Sequence, residues 1–140
     1  MRSFLVCGTI LFALTPVIGG ESDKDQQSLQ GKWAGRGKDR EDVEFTISGT
    51  EWTLRAEDKD DVYFKGTFTL DPKSKPRAMD LKVEGGGGES EKFVGKTALA
   101  IYALRGDTVR WAAMEPGSDD RPSEFTDKGK AIFVEFKRVK

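Results

Sequence analysis

From Gln30 onward the chain consists of short runs in which apolar and polar residues alternate, and this period of two limits its fold more than any other feature. Successive side chains of a strand point to opposite faces, so each run offers one apolar face for burial. Val43, Phe45 and Ile47 alternate with Glu44, Thr46 and Ser48; past the turn residues Ser48-Gly49-Thr50, Trp52 and Leu54 alternate with Thr53 and Arg55. That pattern is a hairpin. Val62, Phe64, Phe68 and Leu70 share one parity in the next run, against Tyr63, Lys65, Thr67 and Thr69. Gly66 takes a place on the apolar face; a glycine there marks a bend or bulge, and its missing side chain predicts a gap among the inward residues.

After a turn at 71–76, Met79, Leu81 and Val83 alternate with Asp80 and Lys82, and the glycines at 85–88 read as a flexible loop. The stretch Thr97–Arg105 is apolar on both faces, as a well-buried strand is. Gly106-Asp107 is a two-residue hairpin loop into Val109, Trp111 and Ala113. The last run sets Ile132, Val134 and Phe136 against Phe133, Glu135 and Lys137. With a strand at Trp33, the count is about eight, and no helix is long enough to cross over a parallel sheet. Closure removes the exposed edges of so many consecutive hairpins, so the predicted fold is all-β: an antiparallel meander closed into a barrel, with a β-sandwich as the alternative.

Ahead of these strands, Arg2 precedes an apolar run from Phe4 to Ile18, then Gly19 and Gly20, and charge begins at Glu21. This is the layout of a signal peptide cleaved after Gly19 or Gly20. A membrane anchor is disfavoured because the run falls short of the ~20 residues a span needs. A lipoprotein is disfavoured because Cys7 comes too early and lacks a small residue before it. The chain therefore divides into a signal peptide at 1–20, a polar lead of weak helical or disordered character at 21–28 and one barrel domain at 29–140. Export predicts a periplasmic or extracellular protein with no membrane span after cleavage. Cys7, the only cysteine, leaves with the signal, so the mature chain has neither disulfide nor thiol chemistry.

Lys and Arg number 23 against 24 Asp and Glu, interspersed along the chain, which argues against a nucleic-acid partner. The chain has no histidine, so the commonest general base and metal ligand is missing. Other apparent motifs have simpler readings. Gly95-Lys96-Thr97 lacks the first glycine of a phosphate loop, where Ser90 stands, and leads into a strand. Arg105-Gly106-Asp107 is what a tight turn requires. Asp58, Asp60 and Asp61 lack the glycine and closing glutamate of a calcium loop and read as a solvated turn.

Leu29-Gln30-Gly31-Lys32-Trp33 carries the G-x-W pattern that opens the first strand of lipocalin-like barrels. With Lys75-Pro76-Arg77-Ala78-Met79-Asp80-Leu81, Ile101-Tyr102-Ala103-Leu104-Arg105-Gly106-Asp107 and Arg121-Pro122-Ser123-Glu124-Phe125, in that order, the chain resembles an exported planctomycete domain of unknown function. The resemblance implies a lipocalin-like barrel exported from the cytoplasm. It also implies structural roles for Gly31 and for Trp33 at the closed end, with Arg138 covering the indole by a cation-π contact.

An eight-stranded barrel is just wide enough to be packed or to hold one small ligand. If it holds one, the aromatic inward parity predicts a small apolar molecule, bound by Trp52, Phe64, Phe68 and Trp111 around Gly66. An envelope protein is the alternative partner if the barrel is filled and docks through an apolar patch. A carboxylate-dependent hydrolase is the third reading, with Asp80 and Glu124 as its acids. Without His, Cys or a framed nucleophile, these two read instead as structural anchors with Arg121 as partner. The expectation is a binding or docking protein with no catalytic residue, metal or cofactor.

Overall fold

A computed structural model describes residues 23–36, 42–56, 63–126 and 128–140. The predicted signal peptide at 1–20 and the acidic cluster Asp58, Asp60 and Asp61 lie outside them. A short helix, α1, covers 23–29. Eight strands follow: β1 (Gly31–Arg36), β2 (Asp42–Ser48), β3 (Glu51–Ala56), β4 (Tyr63–Asp71), β5 (Arg77–Gly87), β6 (Thr97–Arg105), β7 (Thr108–Ala113) and β8 (Ile132–Arg138). Each is antiparallel to the next, and β8 returns to β1 through Trp33↔Arg138, Ala34↔Lys137 and Gly35↔Phe136. The result is a closed barrel in meander order, the lipocalin-like architecture.

The inward parity is the one the alternation predicts. Phe45, Trp52, Phe68 and Trp111 lie in one buried cluster with Met79, Leu81 and Phe136, and Val43, Leu54 and Phe64 pack against it. The strand Thr97–Arg105 buries residues of both parities, Ala98, Ala100 and Tyr102 inward and Ile101 outward. Its outer side is crossed by the connection between β7 and β8. From there Arg121 donates to the carbonyls of Met79 and Ala100, and Phe125 clasps Arg110 against Phe133.

Three expectations change. The described part of the polar lead, 23–28, is helical and runs on into Leu29, whose burial joins it to the barrel. The glycines at 85–88 are not a loop: β5 runs through Gly87, pairing Lys65, Phe64 and Tyr63 with Gly85, Gly86 and Gly87, and Gly88 opens a 3-10 helix (Gly88–Phe93). A ladder needs only backbone N–H and C=O groups, which glycine supplies. Gly66 leaves no gap. It sits at a break in the β4–β5 register, and a Cβ there would overlap the Lys82 carbonyl oxygen. The bulge reading of Gly66 holds, but the space a side chain would take is filled by backbone.

Candidate functional site

The meander places the turn at 49–50, the turn at 72–76 and the hairpin loop at 106–107 at one end of the barrel, and α1 plugs that end. Leu29 and Trp33 are 1% exposed, and the Trp33 Nε1–H donates to the Leu29 carbonyl at 2.8 Å. Arg138 lies over the indole, 4.3 Å from its ring centroid. Its guanidinium also donates to the carbonyls of Gln30 and Ser28 and to Asp107. Gly31 has a φ of +120°, favoured only by glycine, and its Cα faces the same guanidinium. Gly31, Trp33 and Arg138 thus form one unit that fixes the helix to the barrel.

A second anchor was invisible in the sequence. Asp25 of α1, 6% exposed, accepts two bonds from Arg77 Nη1, at 2.7 and 2.8 Å, and one from the Tyr102 hydroxyl at 2.6 Å. Burial pushes the Tyr102 hydroxyl far above the ordinary phenol range, and its bond to the Asp25 carboxylate raises it further. Tyr102 therefore stays protonated, and a donor to Asp25, at neutral pH. Asp25 lies 52 residues from Arg77 and 77 from Tyr102, and no local pattern announces such partners.

Above the plug, Phe45 packs on Trp52, Trp111 and Phe136 with ring centroids 5.4 to 6.2 Å apart. This aromatic layer ends the filled half. Beyond it, toward the 3-10 helix and the connection between β7 and β8, opens a cavity of about 610 Å³. Trp52, Trp111 and Leu81 lie deep in it, and Leu54, Phe64 and Phe93 form its walls. Polar groups enter at the mouth, from Glu115, Ser118 and Lys130. Lys92 and Lys96 stand over the Phe93 ring beside it, at 5.2 and 5.9 Å.

Of the ligand-binding residues read from the sequence, Trp52, Phe64 and Trp111 line the cavity. Phe68 does not; it is nearer the plugged end of β4 and packs into the filled core. Gly66 does not either, for the reason given above. The room comes instead from Ala98 and Ala113, whose small inward side chains at the open ends of β6 and β7 border the cavity. These alanines, and Phe93 on the 3-10 helix, are among the lining residues that sequence reasoning missed, as are Leu81, Met114, Pro116 and Ile132. The signal was available in the inward alanines of β6.

The buried indoles of the interior differ in one respect. Trp33 donates to Leu29, and Trp52 Nε1 donates to the carbonyls of Thr67 at 3.0 Å and Lys82 at 3.3 Å. Trp111 Nε1 is buried and has no hydrogen-bond partner among the described residues.

The candidate carboxylates do not converge. Asp80 pairs with Arg121 at 2.6 Å beside a small recess of about 160 Å³ that Glu124 does not line, and Glu124 is exposed. Neither reaches the main cavity. Among the described residues no cluster of His, Cys, Asp or Glu is arranged to hold a metal, and no helix is long and apolar enough to cross a membrane. No protein-family model, curated protein or solved structure matches the chain.

Proposed function

We propose that this chain is an exported, non-catalytic carrier that takes a small apolar molecule into the open half of its barrel. The observation that carries the reading is the cavity of about 610 Å³, walled by Leu54, Phe64 and Phe93 and bounded below by an aromatic layer. Its size falls in the range of about 300 to 1,000 Å³ common to small-molecule sites, and its apolar walls with few polar groups are typical of them. A ligand there gains roughly 25 cal/mol for each Å² of apolar surface withdrawn from water, less the cost of association. Micromolar affinity follows. Export is supported by the apolar run from Phe4 to Ile18 followed by Gly19 and Gly20.

Trp52 and Trp111 line the cavity whereas Trp33 sits in the plug, so tryptophan emission should shift on titration with a medium-chain alcohol such as decanol. Ala98→Leu fills the space and should weaken that binding roughly tenfold or more. Its stability should be unchanged or raised by about 0.5 to 2 kcal/mol, as for cavity filling elsewhere. An emission spectrum indifferent to every apolar probe would remove this reading and leave a docking or structural domain of the cell envelope. Native mass spectrometry of protein purified from its own host would report a retained ligand or protein partner directly.

A further inference from the structure

We infer that the ligand is an amphiphile with a single anionic head group, which stays at the mouth beside Lys92 and Lys96 while its apolar part fills the cavity. The inference rests on the apolar-ligand reading and deepens it. A second recess, of about 450 Å³, adjoins the mouth, and Phe93, Glu115, Pro116 and Ser118 line both spaces. The two differ in character. The cavity is walled by Leu54, Phe64 and Leu81, whereas the recess adds Lys92 and Lys96, whose ammonium groups lie 5.2 and 5.9 Å from the Phe93 ring centroid. A molecule seated across Phe93 therefore meets hydrocarbon at one end and two cations at the other.

The backbone around the two lysines is tied down. Gly95 N–H donates to the Val83 carbonyl at 2.8 Å and Val83 N–H to the Lys96 carbonyl at 2.9 Å, so the segment that carries Lys96 is fixed to β5. Gly117 N–H donates to the Thr97 carbonyl, and the missing side chain of Gly117 lets the Lys96 stem lie across it, since a Cβ there would stand 3.0 Å from Lys96 Cδ. Lys92, Lys96 and the Lys130 of the mouth have no ion pair among the described residues. Like charges gathered at one ring repel, and an anion among them relieves that repulsion. Glu115 is the carboxylate that lines both spaces, and three ammonium groups outnumber it; Glu91, on the 3-10 helix, lines neither. A head group at the mouth keeps part of its hydration, so its charge avoids the penalty of the apolar interior. For the same reason each contact is weak, and the preference is several-fold rather than absolute.

The test compares decanoate, decanol and decylammonium, which share a chain and differ in head-group charge, by tryptophan emission at about pH 8, where carboxylates and amines are both ionised. Decanoate should bind roughly tenfold more tightly than decylammonium, and added salt should weaken decanoate more than decanol. Lys92→Gln combined with Lys96→Gln should weaken decanoate roughly fivefold and leave decanol within about twofold. Both lysines are exposed, so the double variant should fold, and its decanol binding reports that it has. A decanoate affinity that the double variant leaves unchanged, or lowers no more than that of decanol, would overturn the head-group assignment. Decylammonium binding tightest would overturn it too, by making Glu115 the partner of the head. Failure of all three to bind would instead remove the carrier reading, and this inference with it.

Discussion

At the plugged end of the barrel, Asp25, Gln30 and Arg138 each hold two or more polar partners; at the open end, the buried Trp111 Nε1 holds none. The same strands build both ends. β6 supplies Tyr102 to the plug and Ala98 to the cavity, while β5 supplies Arg77 to the plug and Leu81 to the cavity. The contrast arises from what each strand places inward and from what covers each mouth. A helix closes one end through charge-assisted bonds, and small alanines leave room at the other. Fixing one end firmly lets the other give up packing without loss of the fold.

Trp33→Ala should break this contrast most severely, because it empties the plug and strands Arg138 above a void. The expected cost in a denaturant titration is about 3 to 5 kcal/mol, a large share of the roughly 5 to 15 that stabilises a domain. A loss below about 1 kcal/mol, the scale of an ordinary surface change, would mean that the plug is not what holds the barrel. Gly66→Ala should come next, toward the upper end of the roughly 1 to 3 kcal/mol that overpacking costs. Its Cβ meets the Lys82 carbonyl, so an unchanged unfolding midpoint would show that the bulge is not a fixed feature.

Tyr102→Phe should cost about 1 to 2 kcal/mol at neutral pH by removing a donor to the Asp25 carboxylate. The raised hydroxyl of Tyr102 contributes its stability fully below the unfolded phenol value of about 10, and loses it as pH climbs from there toward the folded value. Wild type should therefore weaken more steeply than Tyr102→Phe above about pH 10, and the two stability curves should converge. A constant gap across that window would disconnect the hydroxyl from the alkaline limit.

Asp107→Asn should do least. Bonds from Lys140 and then Arg138 hold the Asp107 carboxyl below its ordinary value, so its contribution is present above about pH 4 and disappears as pH falls through the folded value. Asp107 is exposed, salt screens it, and Arg138 keeps its bonds to Ser28 and Gln30 when the carboxylate is gone. Denaturation at low salt should show a small deficit for Asp107→Asn at neutral pH that vanishes in acid. A large deficit would place Asp107 within the plug rather than at its rim.

The strands were legible because each carries its burial face in its own residues. The alternation of Val43, Phe45 and Ile47 with polar neighbours requires no knowledge of the rest of the chain. The closed-end position of Gly31 and Trp33 was expected only from the resemblance of the Gly-x-Trp pattern to lipocalin-like barrels, since the start of a strand does not say which end of a barrel is plugged. The site was legible only in part. Trp52, Phe64 and Trp111 are large, inward and apolar, and they line the cavity; Phe68 has the same description and lies in the filled half. Parity tells inside from outside, but not how far along the barrel axis a side chain sits relative to a plug made by another segment.

The sequence by itself determined that this chain makes about eight short strands, most with one apolar face and Thr97–Arg105 with two, because side-chain alternation is a local property of the backbone. Only the tertiary structure decided where the interior is full and where it is empty. Gly66 looked like a space and proved to be a close approach of two strands, since what fills a position depends on the partner strand's backbone. Asp25 looked like part of a solvated lead and proved to be a buried anchor, because Arg77 and Tyr102 reach it only once the barrel has closed.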